Sequence, residues 1–319
     1  MDTRRIGSLS VSVVGVGCNN FGRSVDAAGT ERVVGAALDA GVTFFDTADI
    51  YGATRSETYL GQALGARRHE AVIATKFGMR VDDRRRGAHP AYVRQAAEDS
   101  LQRLGTDVID LYQLHEPDPT TPIADTLGAL ERLVAEGKVR EIGCSNFSVA
   151  QLRDAAGAST RVRFASVQNE YSLLHRAPEH DGVLDECART ATAFLPYFPL
   201  ADGLLTGKYR RGEAPPPDAR LSAGTGRAPA RLADANLARV ERLAAVAARA
   251  GRPLVDLAVA WLLARPVVAS VIAGATRPEQ VAANARAGAW HLSPDDLAAV
   301  DAALAGDDAA TDARAPGAG

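Results

Sequence analysis

Four polar side chains at or near the ends of predicted strands have the types and spacing for acid–base chemistry on a bound substrate. Asp46 ends the run VTFFD, Tyr51 lies in the following loop TADIYG, Lys76 ends AVIATK and His115 ends DLYQLH. A free tyrosine has a pKa of about 10, and a nearby ammonium group lowers the cost of releasing its proton. Lys76 would supply that charge, Asp46 would hold Lys76 in place, and His115 would donate to or orient a substrate oxygen beside Tyr51. The set predicts an active site with Tyr51 as the general acid.

Each of these residues also has a purely structural interpretation. Asp46 would cap the next turn, Tyr51 would be a rim aromatic, and His115 would be a hydrogen-bonded core histidine. Composition favours a special role for lysine, because only three of the 36 basic residues are lysines: Lys76, Lys138 and Lys208. Arginine keeps its proton in proteins, whereas the surroundings of a lysine can tune its ammonium group. The convergence of residues from three neighbouring strands, rather than any single residue, carries the prediction.

The elements that must position these residues are eight short apolar runs that alternate with amphipathic stretches. Such alternation is typical of βα units around a buried parallel sheet, and eight of them predict an α/β fold, the (β/α)8 TIM barrel. The working residues of such a barrel lie at the C-terminal ends of the strands, where the four candidates fall. The predicted strands are 13–17, 42–46, 71–76, 109–115, 140–145, 165–170, 193–199 and 267–273.

Several segments lie outside this alternation. The N-terminal stretch RRIGSLSVSVVGVG predicts a β-hairpin that plugs the barrel floor. Segments 79–89 and 201–234 are longer than ordinary βα loops, and long loops in a compact domain are usually functional or mobile. We expect one barrel domain over residues 1–305 and a disordered Gly, Ala and Asp-rich tail over 306–319.

Composition and charge exclude several classes of partner. The 319 residues carry 36 basic and 39 acidic side chains, for a net charge of −3, so no overall field favours nucleic acid or an anionic membrane. The N-terminus lacks an apolar signal region, and no stretch has the length of a membrane span. The three cysteines, Cys18, Cys144 and Cys187, form no CxxC pair, and no spacing predicts a metal site. We expect a cytoplasmic protein with no nucleic-acid, membrane or metal partner.

Taken in order, the motifs resemble those of the aldo-keto reductases over nearly the whole chain. They run GVGCNNFG, FFDTADIYG, IATKFG, DLYQLH, REIGCSNF, VQNEYSLL, PYFPLADGLLTGKY and IAGATRPEQVAANA. The resemblance is to the bacterial and potassium-channel β-subunit branch of that family. It implies a barrel that binds NAD(P)H in an extended pose, with Asp46, Tyr51, Lys76 and His115 as the catalytic tetrad.

The same resemblance implies a set of cofactor contacts. Ser145, Asn146 and Gln168 would hydrogen-bond the nicotinamide carboxamide, and Tyr197 would stack on the nicotinamide ring. The other residues that it places along the cofactor are Pro199, Leu200, Gly203 and Gly274, with Lys208 and Arg220 in a loop that covers the pyrophosphate.

A helix N-terminus near residue 276 supplies a second phosphate site. The stretch TRPE, from Thr276 to Glu279, predicts a capping box, and a helix N-terminus presents free N–H groups to an anion. Gln280 and Asn284 follow on the first turns. Because Thr276 and Arg277 suit an adenosine 2′-phosphate, we expect NADPH rather than NADH.

The leading hypothesis is an NADPH-dependent reductase that converts a small-molecule aldehyde or ketone to an alcohol. One alternative is an aldolase that uses Lys76 as a Schiff-base nucleophile, and another is a nicotinamide-responsive regulatory subunit with little turnover. The pocket would be lined by loops around Tyr51 and four further residues, whose aromatic members favour an apolar or aromatic carbonyl: Phe21, Phe77, Glu116 and Phe198.

Overall fold

Eight parallel strands form a nearly closed barrel in the computed structural model, which describes residues 1–158, 161–217, 219–222 and 226–305. The strands follow chain order around the barrel, and the last strand of the sequence pairs with the first barrel strand. A bridge between Phe194 and Val268 closes the remaining gap. Each predicted apolar run overlaps one of these strands, which confirms the (β/α)8 fold. The strands are β3 (Val14–Gly17), β4 (Phe44–Asp46), β5 (Val72–Phe77), β6 (Ile109–Leu114), β7 (Val139–Ser145), β8 (Ser166–Glu170), β9 (Ala193–Tyr197) and β10 (Val271–Gly274).

The predicted N-terminal hairpin is present and closes one end of the barrel. It consists of the antiparallel strands β1 (Thr3–Ile6) and β2 (Leu9–Ser12). Ile6, Leu9 and Val11 are buried in one cluster with the side chains that fill the barrel interior, such as Phe44. Arg4 donates to the carbonyl oxygens of Leu263, Arg265 and Val268, which ties the hairpin to the chain before the last strand.

Helices follow most of the barrel strands and pack around them. Asp26 caps the first helix, because its carboxylate accepts from the N–H of Gly29. The helices are α1 (Ala27–Asp39), α2 (Arg55–Leu64), α3 (Pro90–Leu104), α4 (Ile123–Ala135), α5 (Val149–Ala158), α6 (Ala177–His180), α7 (Val183–Thr190), α8 (Ala228–Arg231), α9 (Asp234–Arg249), α10 (Leu254–Leu263), α11 (Pro278–Ala287) and α12 (Pro294–Ala305), with 3-10 segments at Gly65–Glu70 and Ala201–Thr206.

Successive side chains along each strand point alternately into the barrel and out towards the helices, which separates an inner layer of side chains from an outer one. On β5, Ala74 belongs to the cluster inside the barrel, whereas Ile73 and Phe77 belong to the larger cluster between strands and helices. Because side chains alternate with a period of two, Lys76 shares the inward side with Ala74. The same rule places Gln113 on the side of Leu111 in β6. The C-terminal end of the barrel interior is therefore polar, while its other end is filled by the hairpin.

None of the described helices is long and apolar enough to cross a membrane. The tail that we expect to be disordered, residues 306–319, lies outside the described residues.

Candidate active site

The barrel brings the four predicted residues together at the C-terminal ends of β4, β5 and β6. Asp46 is the last residue of β4, and Lys76 and His115 lie at the ends of the next two strands. The Nζ atom of Lys76 is 2.5 Å from Oδ2 of Asp46 and 5.2 Å from the centre of the Tyr51 ring. The rings of Tyr51 and His115 meet edge to face, with 5.7 Å between their centroids. One cluster therefore contains an acid, a cation, a carboxylate and an imidazole.

Two amide side chains complete the surroundings of Asp46. Gln113 and Gln168 each donate an Nε2 N–H to Oδ1 of Asp46, at 3.2 and 2.9 Å, while Lys76 donates to its other oxygen. Lys76 also donates to the carbonyl oxygen of Thr47 at 3.0 Å. Our sequence analysis missed Gln113, although its inward position two residues after Leu111 was a signal for it. The two glutamines thus hold the Asp46 carboxylate in place, and the carboxylate in turn positions the Lys76 ammonium group.

The electrostatics keep Lys76 positively charged and Tyr51 protonated before substrate arrives. Burial alone would lower the pKa of Lys76, but the charge of Asp46 and the hydrogen bonds to Asp46 and Tyr51 raise it above its usual value. Burial raises the pKa of Tyr51, and the nearby Lys76 ammonium opposes that rise. The tyrosine is therefore a proton donor whose conjugate base has a cation beside it.

His115 is neutral in this site. Burial, together with the charge of Lys76, lowers the pKa of His115 to about 3. Its Nδ1 atom is buried without a hydrogen-bond partner among the described residues, which leaves Nε2 as the nitrogen that can meet a substrate oxygen. A neutral imidazole can donate a hydrogen bond but cannot supply a proton at ordinary pH.

Four predicted cofactor residues form a second polar group beside the first. Asn146 adopts a left-handed backbone with φ of 62° and donates from Nδ2 to the carbonyl oxygen of His115 at 3.0 Å. The hydroxyl of Tyr197 donates to Oδ1 of Asn146 at 2.8 Å, and Ser145 Oγ donates to the carbonyl oxygen of Gln168 at 2.7 Å. These bonds place Ser145, Asn146, Gln168 and Tyr197 together at the ends of β7, β8 and β9.

The predicted substrate pocket needs correction. Phe77 is fully buried and stacks on Tyr112 at 4.7 Å between ring centroids, because alternation turns it outward from the barrel next to the inward Lys76. Phe21 is also fully buried in the outer core. Glu116 is exposed and Phe198 is half-buried, so these two retain access to a ligand. The guanidinium groups of Arg220 and Arg227 lie over the Phe198 ring, at 5.4 and 4.4 Å, so this wall is cationic as well as aromatic.

A buried carboxylate in the segment after β9 organises several arginines, and the sequence analysis did not identify it. The side chain of Asp202 is 2% exposed and forms ion pairs with Arg220 and Arg231, each at 3.2 Å, and with Arg227 at 3.8 Å. Arg231 also pairs with Glu170 at the end of β8. These contacts fasten the described part of the long segment to the barrel mouth.

The two predicted phosphate-binding residues outside this network are close to each other. Lys208 lies over the Tyr209 ring, and burial and the charge of Arg277 lower its pKa. Neither Lys208 nor Arg277 has a carboxylate partner within ion-pair distance among the described residues. Gly203 approaches Lys208 closely, since a Cβ on this glycine would lie 3.2 Å from Nζ, and its φ of 92° favours glycine. Two unpaired cations that interact electrostatically fit the binding of an anion.

The helix that follows β10 begins where predicted, but its capping box is wrong. Gln280, rather than Glu279, reaches back, and its Oε1 accepts from the backbone N–H of Thr276 at 2.7 Å and from its hydroxyl at 3.1 Å. The helix therefore begins at Pro278, with Arg277 as an extended cap residue. Asn284 is buried on the next turn. The remaining predicted positions lie around the same mouth, with Pro199 and Leu200 after β9 and Gly274 at the end of β10.

A buried acidic pair behind the Tyr51 loop was also missed. Asp49 is 2% exposed; one carboxylate oxygen accepts from the Tyr92 hydroxyl at 3.3 Å and the other has no partner among the described residues. Nearby Glu57 is fully buried and accepts from Thr75 and Arg103. Burial and then the negative Glu57 raise the pKa of Asp49 to about 7, against the opposing charge of Arg103.

This raised pKa predicts that ionisation of Asp49 lowers the stability of the fold as pH rises to about 7. Between its unfolded pKa of about 4 and its folded pKa of about 7, only the folded state holds the proton, so the free energy of unfolding falls as pH rises through that window. We expect Asp49→Asn to remove about 2 kcal/mol of this fall between pH 5 and pH 8. Urea unfolding at several pH values checks this, with the exposed Asp107→Asn as control. A difference between Asp49→Asn and wild type that stays constant with pH would contradict the prediction.

The three cysteines add no reactive thiolate to this site. Cys18, Cys144 and Cys187 are free and buried, and burial raises the pKa of each thiol. A protonated buried thiol is a poor nucleophile and a poor redox sensor. Within the described part of the chain, no group of three or more His, Cys, Asp or Glu side chains is arranged to hold a metal ion.

Comparison with known protein families gives one match over most of the chain. The model of the aldo/keto reductase family matches residues 13–305. A protein of Oryza sativa subsp. japonica named "probable voltage-gated potassium channel subunit beta" is 33% identical over 278 residues, which covers 84% of this chain and 84% of that protein. A protein of Glycine max named "probable aldo-keto reductase 1" is 35% identical over 297 residues, covering 91% of this chain and 84% of the other.

Solved structures give the same result. A glycerol dehydrogenase from Gluconobacter oxydans superposes with a TM-score of 0.83 at 32% identity, covering 95% of both chains. An aldo-keto reductase from Bacillus halodurans, solved in its holo form, superposes with a TM-score of 0.79 at 31% identity, covering 95% of this chain and 96% of that one.

Proposed function

The chain belongs to the aldo/keto reductase family of oxidoreductases, and on that premise we propose that it is an NADPH-dependent reductase of a small-molecule aldehyde or ketone. The observation that carries the proposal is the fixed contact between the Lys76 ammonium, the Asp46 carboxylate and the Tyr51 ring. Packing of the core does not require a fully buried lysine at a strand end, and burying its charge costs folding stability. Such a residue therefore indicates a functional site.

In the proposed mechanism, Tyr51 donates its proton to the substrate oxygen. A bound nicotinamide cofactor would supply the hydride. Releasing the tyrosine proton at pH 7 costs about 4 kcal/mol for an unperturbed hydroxyl, and the cation beside it reduces that cost. Lys76 stays charged because Asp46 raises its pKa, and Gln113 and Gln168 hold Asp46. The chain's contribution is thus a positioned acid and a preorganised charge.

His115 would orient the substrate rather than protonate it. With a pKa of about 3, its ring is neutral, and its Nε2 N–H can donate to the same oxygen that Tyr51 protonates. The contact from Asn146 to the His115 carbonyl couples this histidine to the group proposed to hold the nicotinamide carboxamide. Substrate and cofactor would therefore be aligned by one connected set of hydrogen bonds.

The phosphate end of the site favours NADPH over NADH. Lys208 and Arg277 have no carboxylate partner among the described residues; the charge of Arg277 acts on Lys208, and Arg277 lies where helix α11 begins. An adenosine 2′-phosphate adds a dianion that two cations and a helix N-terminus stabilise. NADH lacks that group. We also propose that residues 1–305 form the functional unit and that the protein acts in the cytoplasm, where free cysteines are common.

Two alternative functions make different predictions. A Schiff-base aldolase needs Lys76 as a neutral amine, but the Asp46 contact and the raised pKa favour the ammonium form. A regulatory subunit is suggested by the name of the Oryza sativa relative, yet a regulator has no need of the buried acid–cation arrangement found here. Borohydride trapping of a carbonyl compound on Lys76 would support the aldolase.

The test is carbonyl-dependent oxidation of NADPH and NADH over a panel of aldehydes, ketones, dicarbonyls and quinones. We expect saturable turnover with at least one carbonyl and a higher kcat/KM with NADPH. NADPH binding without turnover on any member would support the regulatory function instead. A higher kcat/KM with NADH would contradict the proposed role of Lys208 and Arg277.

A further inference from the structure

A second basic cavity lies outside the site described above, with Thr276 at its edge. Its volume is about 420 Å3, and it lies between the loop after β3, the first turns of α1 and the start of α2. Three arginines line it, Arg23, Arg32 and Arg55, together with the side chain of Tyr59. The family resemblance assigns no role to these four residues.

The arginines around this cavity lack the partners that most arginines of this chain have. In the described structure, no carboxylate lies within ion-pair distance of Arg23, Arg32 or Arg55, whereas Asp202 alone pairs with three arginines. Arg55 donates through Nε to the carbonyl oxygen of Gly52 at 2.9 Å, which leaves its terminal nitrogens free. Three unpaired cations around one concave surface repel one another, so the cavity favours an anion.

The acidic residue that lines the cavity does not neutralise it. Asp26 accepts from the N–H of Gly29 at 2.7 Å and so serves as the cap of α1. Its single negative charge is outnumbered by the three guanidinium groups, so the cavity keeps a net positive charge. Tyr59 adds a hydroxyl with no hydrogen-bond partner among the described residues. The unsatisfied groups are therefore mainly donors, which is the pattern that a phosphate ligand requires.

The walls of the cavity are fixed by a close backbone approach. Gly22 has a φ of 71°, and a Cβ at this position would lie 2.7 Å from the Cβ of Arg55. This contact holds the start of α2 against the loop that carries Arg23. Arg23 and Arg55 therefore extend from two segments that are in direct contact, and Arg32 extends from α1.

We propose that this cavity binds a phosphate monoester dianion through Arg23, Arg32 and Arg55. Two sources carry that chemistry. One is the 2′-phosphate of the adenosine in the dinucleotide, which these arginines would then hold together with Lys208 and Arg277, since Thr276 lines the cavity and directly precedes Arg277. This source rests on the proposed function. The other is the phosphate of a separate small molecule that binds whether or not the dinucleotide is present. Arginine binds phosphate through paired N–H donors, so the three side chains match either source.

Inorganic phosphate is the first probe, measured by calorimetric titration of the full chain at low ionic strength. We expect saturable binding by the wild type and a loss of about tenfold or more in affinity in the double variant Arg32→Gln/Arg55→Gln. Arg249→Gln is the matched control, because Arg249 is exposed, has no ion pair among the described residues and lies at the end of α9. Arg32→Lys should keep part of the affinity, since it retains the charge.

Titrations with NADPH and NADH then distinguish the sources. If the dinucleotide is the ligand, the double variant loses affinity for NADPH but not for NADH, and phosphate competes with NADPH. If the ligand is separate, phosphate binds equally well to the NADPH-saturated protein, and the variants leave both dinucleotide affinities unchanged. These are binding measurements, so they succeed or fail independently of whether the panel assay finds turnover.

The proposal is overturned if the folded wild type shows no saturable phosphate binding and the double variant binds both dinucleotides as the wild type does. It is also overturned if Arg249→Gln weakens phosphate binding as much as the double variant. That result would assign the effect to net charge instead of to the cavity. Thermal unfolding of each variant shows whether a loss of binding reflects a loss of structure.

Discussion

Tyr51→Phe is expected to lower the rate of carbonyl-dependent NADPH oxidation by about 10²- to 10⁴-fold, the usual contribution of a positioned general acid. The substitution removes the only atom of the side chain that carries a transferable proton. His115 does not replace it, because with a pKa of about 3 its protonated form is about 10⁴-fold less abundant than the neutral form at pH 7. Affinity for NADPH should be unchanged, since the hydroxyl is not among the proposed cofactor contacts.

The matched control is Tyr92→Phe, which removes a hydroxyl that donates to Asp49 rather than one beside Lys76. We expect it to retain most of the activity. Steady-state kinetics on the best carbonyl of the panel, with NADPH binding measured separately, provide the check. Turnover in Tyr51→Phe close to that of the wild type would eliminate Tyr51 as the acid. A loss of NADPH binding in the same variant would show that the substitution disturbed the cofactor site instead.

The parts of this molecule that follow local rules could be predicted from the sequence. Eight apolar runs with period-two patterning and short connections predict the parallel strands, and the polar residue at the end of each strand then points to the mouth. Asp46, Lys76 and His115 could be found in this way, because each interrupts an apolar run at its last residue. The hairpin at the floor is predicted for the same reason.

What could not be predicted depends on which way a side chain faces or on contacts between distant segments. Phe77 follows Lys76 directly, so the alternation that turns the lysine inward places the phenylalanine in the outer core. Residue type alone does not show this orientation. Asp202 and its arginines are separated by up to 29 residues along the chain, and only the fold brings them together. The role of Gln280 at helix α11 was missed because glutamine and glutamate one residue apart can both reach back to Thr276.

A second large effect is expected from Asp46→Asn, because Lys76 would then be a buried cation without a carboxylate. Removing one partner of a buried ion pair costs about 3 to 5 kcal/mol of stability. The pKa of Lys76 should fall, since its burial lowers it and the largest opposing contribution, the charge of Asp46, would be lost. A neutral amine no longer stabilises the tyrosine as it loses its proton, so we expect kcat to fall by about 10²-fold or more at pH 8.

This variant should show opposite pH trends in stability and activity. With the folded pKa of Lys76 below its unfolded value of about 10.4, the unfolded state binds the proton more readily, so the free energy of unfolding rises with pH across that window. Catalysis needs the protonated lysine, so kcat should instead rise as pH falls. Urea unfolding and kcat, both measured from pH 6 to pH 9, check the two trends. Parallel trends would show that the lost activity reflects lost structure.

A double-mutant cycle with Lys76→Met separates the ion pair from other roles of Asp46. Methionine fills a similar volume without a charge, so in its presence Asp46→Asn should cost much less stability, and the coupling should be about 1 to 3 kcal/mol. Gln113 and Gln168 donate to Asp46 in either background, so their contribution cancels in the cycle. A coupling near zero would mean that these amides, rather than Lys76, are what Asp46 stabilises. The proposed acid chemistry depends on a Lys76 that Asp46 keeps charged. A coupling near zero would therefore also contradict the proposed role of the Lys76 ammonium beside Tyr51.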